Sequence, residues 1–225
     1  HMAAWAGAAR LMAEHRDRWR GTLLMVGQPA EEGGGGASAM LNDGLFTRFP
    51  RPDFALSLHD DDTMPAGTIG YHPGYFRAMS DSVTITVYGR GGHAAMPHNT
   101  IDPVVLAARI VLSLQTIVAR ENNPVDPVVI TVGSIHGGTQ ANIIPDEVRL
   151  QLSVRTYTPQ VRTRTLAAIR RIARGEALSA GAPREPQVDA PANAGAPVYN
   201  DPPLTLRLAG ALKKGLGEKD VVEMP

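Results

Sequence analysis

The pattern of hydrophobic and polar positions changes character near residue 76. Upstream, Ala3 to Arg20 is rich in strong helix formers, with apolar residues at Trp5, Ala8, Ala9, Leu11, Met12 and Trp19, and reads as a helix that Gly21 ends. Thr22 to Gly27 is a short continuous apolar run and Asp53 to His59 is a second; both read as strands buried on two faces. Between them Gln28 to Gly36 reads as a loop and Ala37 to Asp43 as a helix. That order of elements predicts an α/β unit with a mostly parallel sheet.

Downstream, Ser82 to Tyr88 alternates apolar and polar residues, as a strand with one solvated face does. Asp102 to Arg120 reads as a helix with Pro103 in its first turn and an apolar side of Val104, Val105, Ala108, Ile110, Val111, Leu114 and Ile117. Pro127 to Ile135 and Glu147 to Tyr157 read as strands, the second alternating through Val148, Leu150, Leu152 and Val154. Thr158-Pro159 opens a helix over about Gln160 to Leu178, with a closing strand at Pro186 to Val188. This is a self-contained α+β sandwich, a sheet covered on one face by two helices. Pro183 to Pro203 reads as a connector, and Leu204 to Leu216 as a last helix. One domain interrupted by another follows: residues 1–75, 76–187 and 188–225. The outer domain lacks the strands to cover its own sheet, so we expect the natural protein to be longer at both ends.

Composition narrows the function. The chain has 225 residues, 43% hydrophobic and 20% charged, which suits a folded globular protein. Twenty-two basic and 22 acidic side chains leave no excess of positive charge for a nucleic-acid surface. The absence of cysteine excludes disulfides and thiol chemistry within the chain. No run of eighteen apolar residues spans a membrane, and the start of the sequence has no signal core, so a cytoplasmic location is expected. His1-Met2 reads either as a cloning scar or as native sequence.

Three clusters carry candidate chemistry. Glu31 and Glu32 follow the first apolar run, at the strand end where open α/β sheets bind ligands. Adjacent acids in a loop point in different directions, so one can bind a metal while the other faces a nucleophilic water; the same pair also fits a solvated turn. His59 ends the second run and is followed by three aspartates; it suits a first-row metal, or simply caps the strand. Gly89 to His98 places His93 after glycines on an exposed turn, where an imidazole can stabilise an oxyanion. Asn142 and Arg155 are further polar candidates. The plain alternatives are a turn-forming loop for Asn142 and Asp146, and a rim salt bridge for Arg155.

The order of these stretches resembles a family: the metal-dependent amidohydrolases that include aminoacylases, hippurate hydrolases and auxin-conjugate hydrolases. The matching stretches are Gly27 to Gly33, Ala55 to His59, Gly91 to His98, Thr100 to Val104, Gly133 to Thr139 and Asn142 to Asp146. The resemblance covers essentially the whole chain and favours a native His1-Met2. It implies an α/β fold class: an incomplete catalytic α/β domain carrying an inserted α+β sandwich, a lid and dimerisation domain. It further implies that Glu31 is the general base and that Glu32 and His59 are metal ligands. His93 and Asn142 would steady the tetrahedral intermediate, often in the partner subunit's site, and Arg155 would contact the substrate carboxylate. One or two divalent ions are implied, with Zn, Mn, Co and Ni all suited to the donors.

The departures are specific. The family's Cys-Gly-His-Asp-x-His stretch would end at His1, so its ligating Cys and first His are absent, and a further ligand His beyond Pro225 is missing too. A catalytic zinc needs about three protein ligands. The expected function is hydrolysis of the amide bond of N-acyl amino acids or similar small conjugates by the intact protein, as a homodimer through the lid, with the chain as given inactive. The alternatives are a non-catalytic dimerisation module, or a dipeptidase or carboxypeptidase. Ser82 to Tyr88 is expected to be an exposed edge strand of that dimer.

Overall fold

The computed structural model describes residues 1–30, 35–191 and 196–224. In chain order the helices are α1 (Met2–Glu14), α2 (Gly36–Asn42), α3 (Leu45–Arg48), α4 (Pro103–Thr116), α5 (Pro159–Ser179) and α6 (Pro202–Leu216). The strands are β1 (Ile69–Tyr71), β2 (Gly74–Arg77), β3 (Met79–Tyr88), β4 (Gly92–His93), β5 (Val128–His136), β6 (Ile143–Ile144), β7 (Glu147–Thr156), β8 (Gln187–Asp189), β9 (Val198–Asn200) and β10 (Val221–Glu223). Helix and strand mix throughout, as an α/β class requires. Two compact units divide the chain: His1–Gly70 with Glu218–Val222, and Tyr71–Gly217 with Glu223–Pro225.

The second unit is organised by one sheet in the order β5-β7-β3-β8. β3 and β7 are antiparallel over their full ten-residue length, from Met79 opposite Thr156 to Tyr88 opposite Glu147. The path β3-α4-β5-β7-α5-β8 makes this the split βαβ arrangement of ferredoxin-like folds. The period-2 pattern decides which side is covered. Val83, Ile85 and Val87 of β3 and Val148, Leu150, Leu152 and Val154 of β7 are buried, and they meet Leu106, Ile110 and Leu114 of α4 and Val161, Ile169 and Ile172 of α5. The alternate residues of β7 form a polar face free of helices.

Both covering helices start where the sequence supplies a cap. Asp102 accepts hydrogen bonds from the amides of Val104 and Val105, and Thr158 accepts one from Val161, with proline following each cap. α4 ends at Thr116 and runs into a single π-turn at Ile117–Glu121. Its buried side is Leu106, Ala107, Ile110, Leu114 and Ile117, whereas Val104 and Val105, expected inside, are exposed. Residues Pro103–Glu121 are long and apolar enough to cross a membrane by composition, and 33% of that apolar window is buried, its inner side packed on the sheet.

One charged pair lies inside this core. Asp81, fully buried on the helix-facing side of β3, receives bidentate hydrogen bonds from Arg162 of α5 at 2.7–3.1 Å, and Arg162 also donates to the carbonyl of Pro191 at 2.8 Å. The hydrogen bonds and charge of Asp81 hold the guanidinium above its ordinary pKa, against burial, which acts to lower it.

Three expectations are corrected. Ser82 to Tyr88 is not an edge: β3 lies between β7 and β8, because Thr84 to Thr86 also pair with Gln187 to Asp189. The edges are β5 and β8. The first helix stops at Glu14, and Arg16–Arg18 forms a separate 3-10 turn, with Trp19 donating its indole N–H to the carbonyl of Met12. Thr22 to Gly27 and Asp53 to His59 form no strand, and Phe54, Leu56 and Leu58 are exposed. An apolar run becomes a strand only where a second strand meets its N–H and C=O groups, and among the described residues none meets these two.

Candidate active site

The lid part of the site is built at the end of β3 and β7 where Tyr88 faces Glu147. The chain leaving β3 turns at Gly89, whose amide donates to the carbonyl of Asp146 at 2.7 Å, and at Gly91, whose amide donates to Asp146 Oδ1 at 2.8 Å. A side chain at Gly91 would put its Cβ 2.7 Å from the carbonyl oxygen of Ile144, so only glycine allows the two loops to lie this close. β4 and β6 then pair, Gly92 opposite Ile144 and His93 opposite Ile143, and the amide of Ala94 donates to the carbonyl of Asn142 at 3.0 Å. His93 and Asn142, 49 positions apart by their numbering, thus sit side by side and exposed at one braced tip.

His93 is also oriented. Its Nδ1 accepts the amide hydrogen of Ala95 at 3.1 Å, which leaves Nε2 to carry the ring proton of the neutral form. Nε2 is therefore a hydrogen-bond donor facing outward, the polarity an oxyanion needs.

Arg155 lies elsewhere on the same sheet. It faces the helix-free side of β7, opposite Ser80 of β3 and Val129 of β5. Eight residues of extended strand separate it from Glu147, on the order of 25 Å. One lid therefore does not bring Arg155 and the His93–Asn142 tip onto the same small molecule.

In the first unit, Glu31 and Glu32 lie outside the described residues. His59 is described and exposed. Its Nδ1 is 2.6 Å from the carbonyl oxygen of Asp60 and 3.2 Å from Asp60 Oδ1. That contact makes Nδ1 the protonated nitrogen and leaves Nε2 free to act as a ligand, the usual way a backbone carbonyl fixes a metal-binding imidazole. His1 Nε2 is 2.6 Å from Asp60 Oδ1, and the rings of His1 and His59 meet edge-on at 4.8 Å. Among the described residues, His1, His59 and Asp60 bring one donor atom each within 4.8 Å of one another. Imidazole nitrogens with a carboxylate oxygen fit a first-row divalent cation.

Several features had no local signal in the sequence. The pairing of β4 with β6 and the double acceptance by Asp146 are long-range, and Asp146 read only as a turn residue. His136 and Arg149 meet through the β5–β7 register, a long-range pairing as well.

Residues 77–180 match the peptidase dimerisation domain. The N-acetyl-L-cysteine deacetylase of Bacillus subtilis is 40% identical over 162 residues, which is 72% of this chain and 38% of that protein. A candidate aminohydrolase from methicillin-resistant Staphylococcus aureus superposes with a TM-score of 0.81 at 31% identity, over 96% of this chain and 55% of that one. A dinuclear metal-binding peptidase of the M20 family from B. subtilis gives a TM-score of 0.72 at 27% identity, over 99% of this chain and 55% of that one. Residues 77–180 are thus a peptidase dimerisation domain, and the chain as a whole is similar to amidohydrolases and peptidases of the M20 family, in line with the order of its motifs. It spans about half the length of the relatives it matches.

Proposed function

We propose that the full-length gene product is a cytoplasmic hydrolase that cleaves the amide bond of N-acyl amino acids or similar small conjugates. The observation that carries this reading is the braced tip on which His93 and Asn142 meet, with His93 Nε2–H free to donate. Glu31 removes a proton from the attacking water and returns it to the leaving amine. His93 and Asn142 donate hydrogen bonds to the oxygen that gains charge as the carbonyl is attacked. Arg155 holds the substrate carboxylate with its two-pronged guanidinium. Glu32 and His59 would hold a divalent cation, which when bound would supply Lewis acidity toward the carbonyl and a more acidic water. Zn, Mn, Co and Ni all suit those donors.

The protein acts as a homodimer. The separation of Arg155 from the His93–Asn142 tip favours two sites, each drawing on the lids of both subunits. The dimer contact is assigned to the unpaired edge of β5 and to the exposed side of α4, where Val104, Val105 and Leu112 face outward. A second copy adding its own β5 would satisfy that edge.

The test is turnover of N-acetyl and N-benzoyl amino acids by the full-length gene product. Glu31→Gln should lower kcat by about 10²–10⁴-fold with KM little changed. Removal of metal by a chelator should abolish turnover, and added Zn or Mn should restore it. Unchanged turnover in Glu31→Gln would refute the assigned base.

A further inference from the structure

Three tyrosines meet where the lid sheet runs into the β2–β9 ribbon. Tyr75 and Tyr199 are directly opposite in the antiparallel register, with ring centroids 4.9 Å apart and planes at 72°. Tyr75 also meets Tyr157 edge-on, at 5.7 Å and 68°. Edge-to-face pairs fix the direction of each ring, so the cluster is a preformed aromatic surface. It stays open to a ligand: Tyr75 is 43% and Tyr199 55% exposed.

The chain carries Arg155 to the same place. Tyr157 follows it by two residues along the end of β7, a step of about 7 Å. Among the described residues, no hydrogen bond, ion pair or ring holds the Arg155 guanidinium, and no hydrogen bond occupies the three phenol groups. The other charged side chains close by in the sequence are engaged: Arg77 lies over the ring of Phe76 at 5.6 Å, Asp81 is buried against Arg162, and Asp201 caps α6. A fixed aromatic surface beside one free guanidinium is matched by an aryl ring joined to a carboxylate through a two-carbon link. The ring packs on the tyrosines while the carboxylate takes both prongs of the guanidinium. An aliphatic acid makes only the second contact, and a neutral arene only the first.

We propose that Tyr75, Tyr157 and Tyr199 form, with Arg155, a subsite for the amino-acid side of an aromatic substrate, its carboxylate on Arg155 and its side-chain ring on the tyrosines. The inference rests on the hydrolase reading above for the bond that is cut, and on this cluster for the preference. N-acyl derivatives of phenylalanine, tyrosine or tryptophan are favoured over those of aliphatic amino acids. The tyrosines determine specificity and take no part in bond breaking.

Binding to the chain itself needs no catalysis. Amide shifts of Tyr75, Arg155, Tyr157 and Tyr199 are followed by NMR at pH 7 during titration with N-acetyl-L-phenylalanine, N-acetyl-L-norleucine or N-acetyl-L-phenylalaninamide. N-acetyl-L-phenylalanine should bind about two- to tenfold more tightly than N-acetyl-L-norleucine, the factor an aromatic pair contributes beyond its buried area. It should bind about tenfold more tightly than the amide, which lacks the charge-assisted contact. Tyr75→Leu should erase the first preference and keep the second, and Arg155→Met should do the reverse, with unchanged amide shifts at Leu150 and Ile169 showing that the lid is folded. Equal binding of the two acids, an aryl preference that survives Tyr75→Leu, Tyr157→Leu and Tyr199→Leu alike, or no shift at the four residues with any compound would each overturn the proposal. In the full-length gene product, kcat/KM should favour N-acetyl-L-phenylalanine over N-acetyl-L-norleucine by about the same factor. Turnover of both at equal kcat/KM would overturn the subsite and leave the hydrolase reading standing. An aryl preference in binding with turnover of neither would overturn that reading and leave the subsite.

Discussion

Leu150 and Leu58 both lie in stretches that read as strands, Leu150 on the apolar face of an alternating one and Leu58 in a continuous apolar run. Leu150, in β7, is 0% exposed, held between β3 and β5 and covered by α4 and α5. Leu58, one residue before His59, is 76% exposed and among the described residues has no ladder beside it. The difference does not lie in the side chain, since the residue is the same. It lies in what each stretch has for neighbours: β7 has a partner on both edges and two capped helices over one face. Hydrophobicity states a capacity for burial, and the long-range partners decide whether it is used.

The largest consequence concerns the buried pair. Asp81→Ala should destabilise the lid by about 3–5 kcal/mol, because it leaves Arg162, whose side chain is 16% exposed, without its counter-charge. Urea unfolding of the chain measures this. Replacing both residues by apolar ones of similar volume should cost far less. A double substitution as damaging as Asp81→Ala would show that the pair does more than neutralise itself.

Next in size is the core itself. Leu150→Ala should cost about 2–5 kcal/mol, the sum of lost transfer energy and the cavity left at the centre of the sheet. Thermal or urea unfolding of the chain reads it directly. A cost below about 1 kcal/mol would mean that the sheet and helices collapse around the gap, and that the lid is less rigidly packed than its register implies.

These two residues also show what was legible in the sequence. Leu150 was readable because period-2 alternation survives without knowledge of the partner strand, and the helix starts were readable because Asp102 and Thr158 precede prolines. The order of strands was not readable. β3 alternates as an edge strand would, and only the pairing of Thr84 to Thr86 with β8 makes it internal. The site divides along the same line. His93 stood out through its glycines and Asn142 through its turn. Their meeting at β4–β6, the bracing by Asp146 and the His136–Arg149 pairing depend on contacts many residues apart. His59 was found as a residue, while the carbonyl of Asp60 that orients its ring is a consequence of local folding with no residue-type signature.

The smallest expected effect is the most direct probe of the comparison. Leu58→Ala should change the stability of the chain by no more than about 0.5 kcal/mol, as for an exposed position away from caps and buried networks. Amides from Ala55 to Leu58 should exchange with solvent far faster than those of β7, since among the described residues they have no ladder to protect them. The two readouts together make the null effect informative. If Leu58→Ala cost 2 kcal/mol or more while Leu150→Ala cost its expected amount, the stretch before His59 would be buried in solution. His59 would then stand at the end of a held strand, with its Nε2 fixed in direction as well as in tautomer. If both readouts behave as expected, the orientation of His59 rests on Asp60 alone, and the metal-ligand geometry has to be completed by groups that pair with this segment.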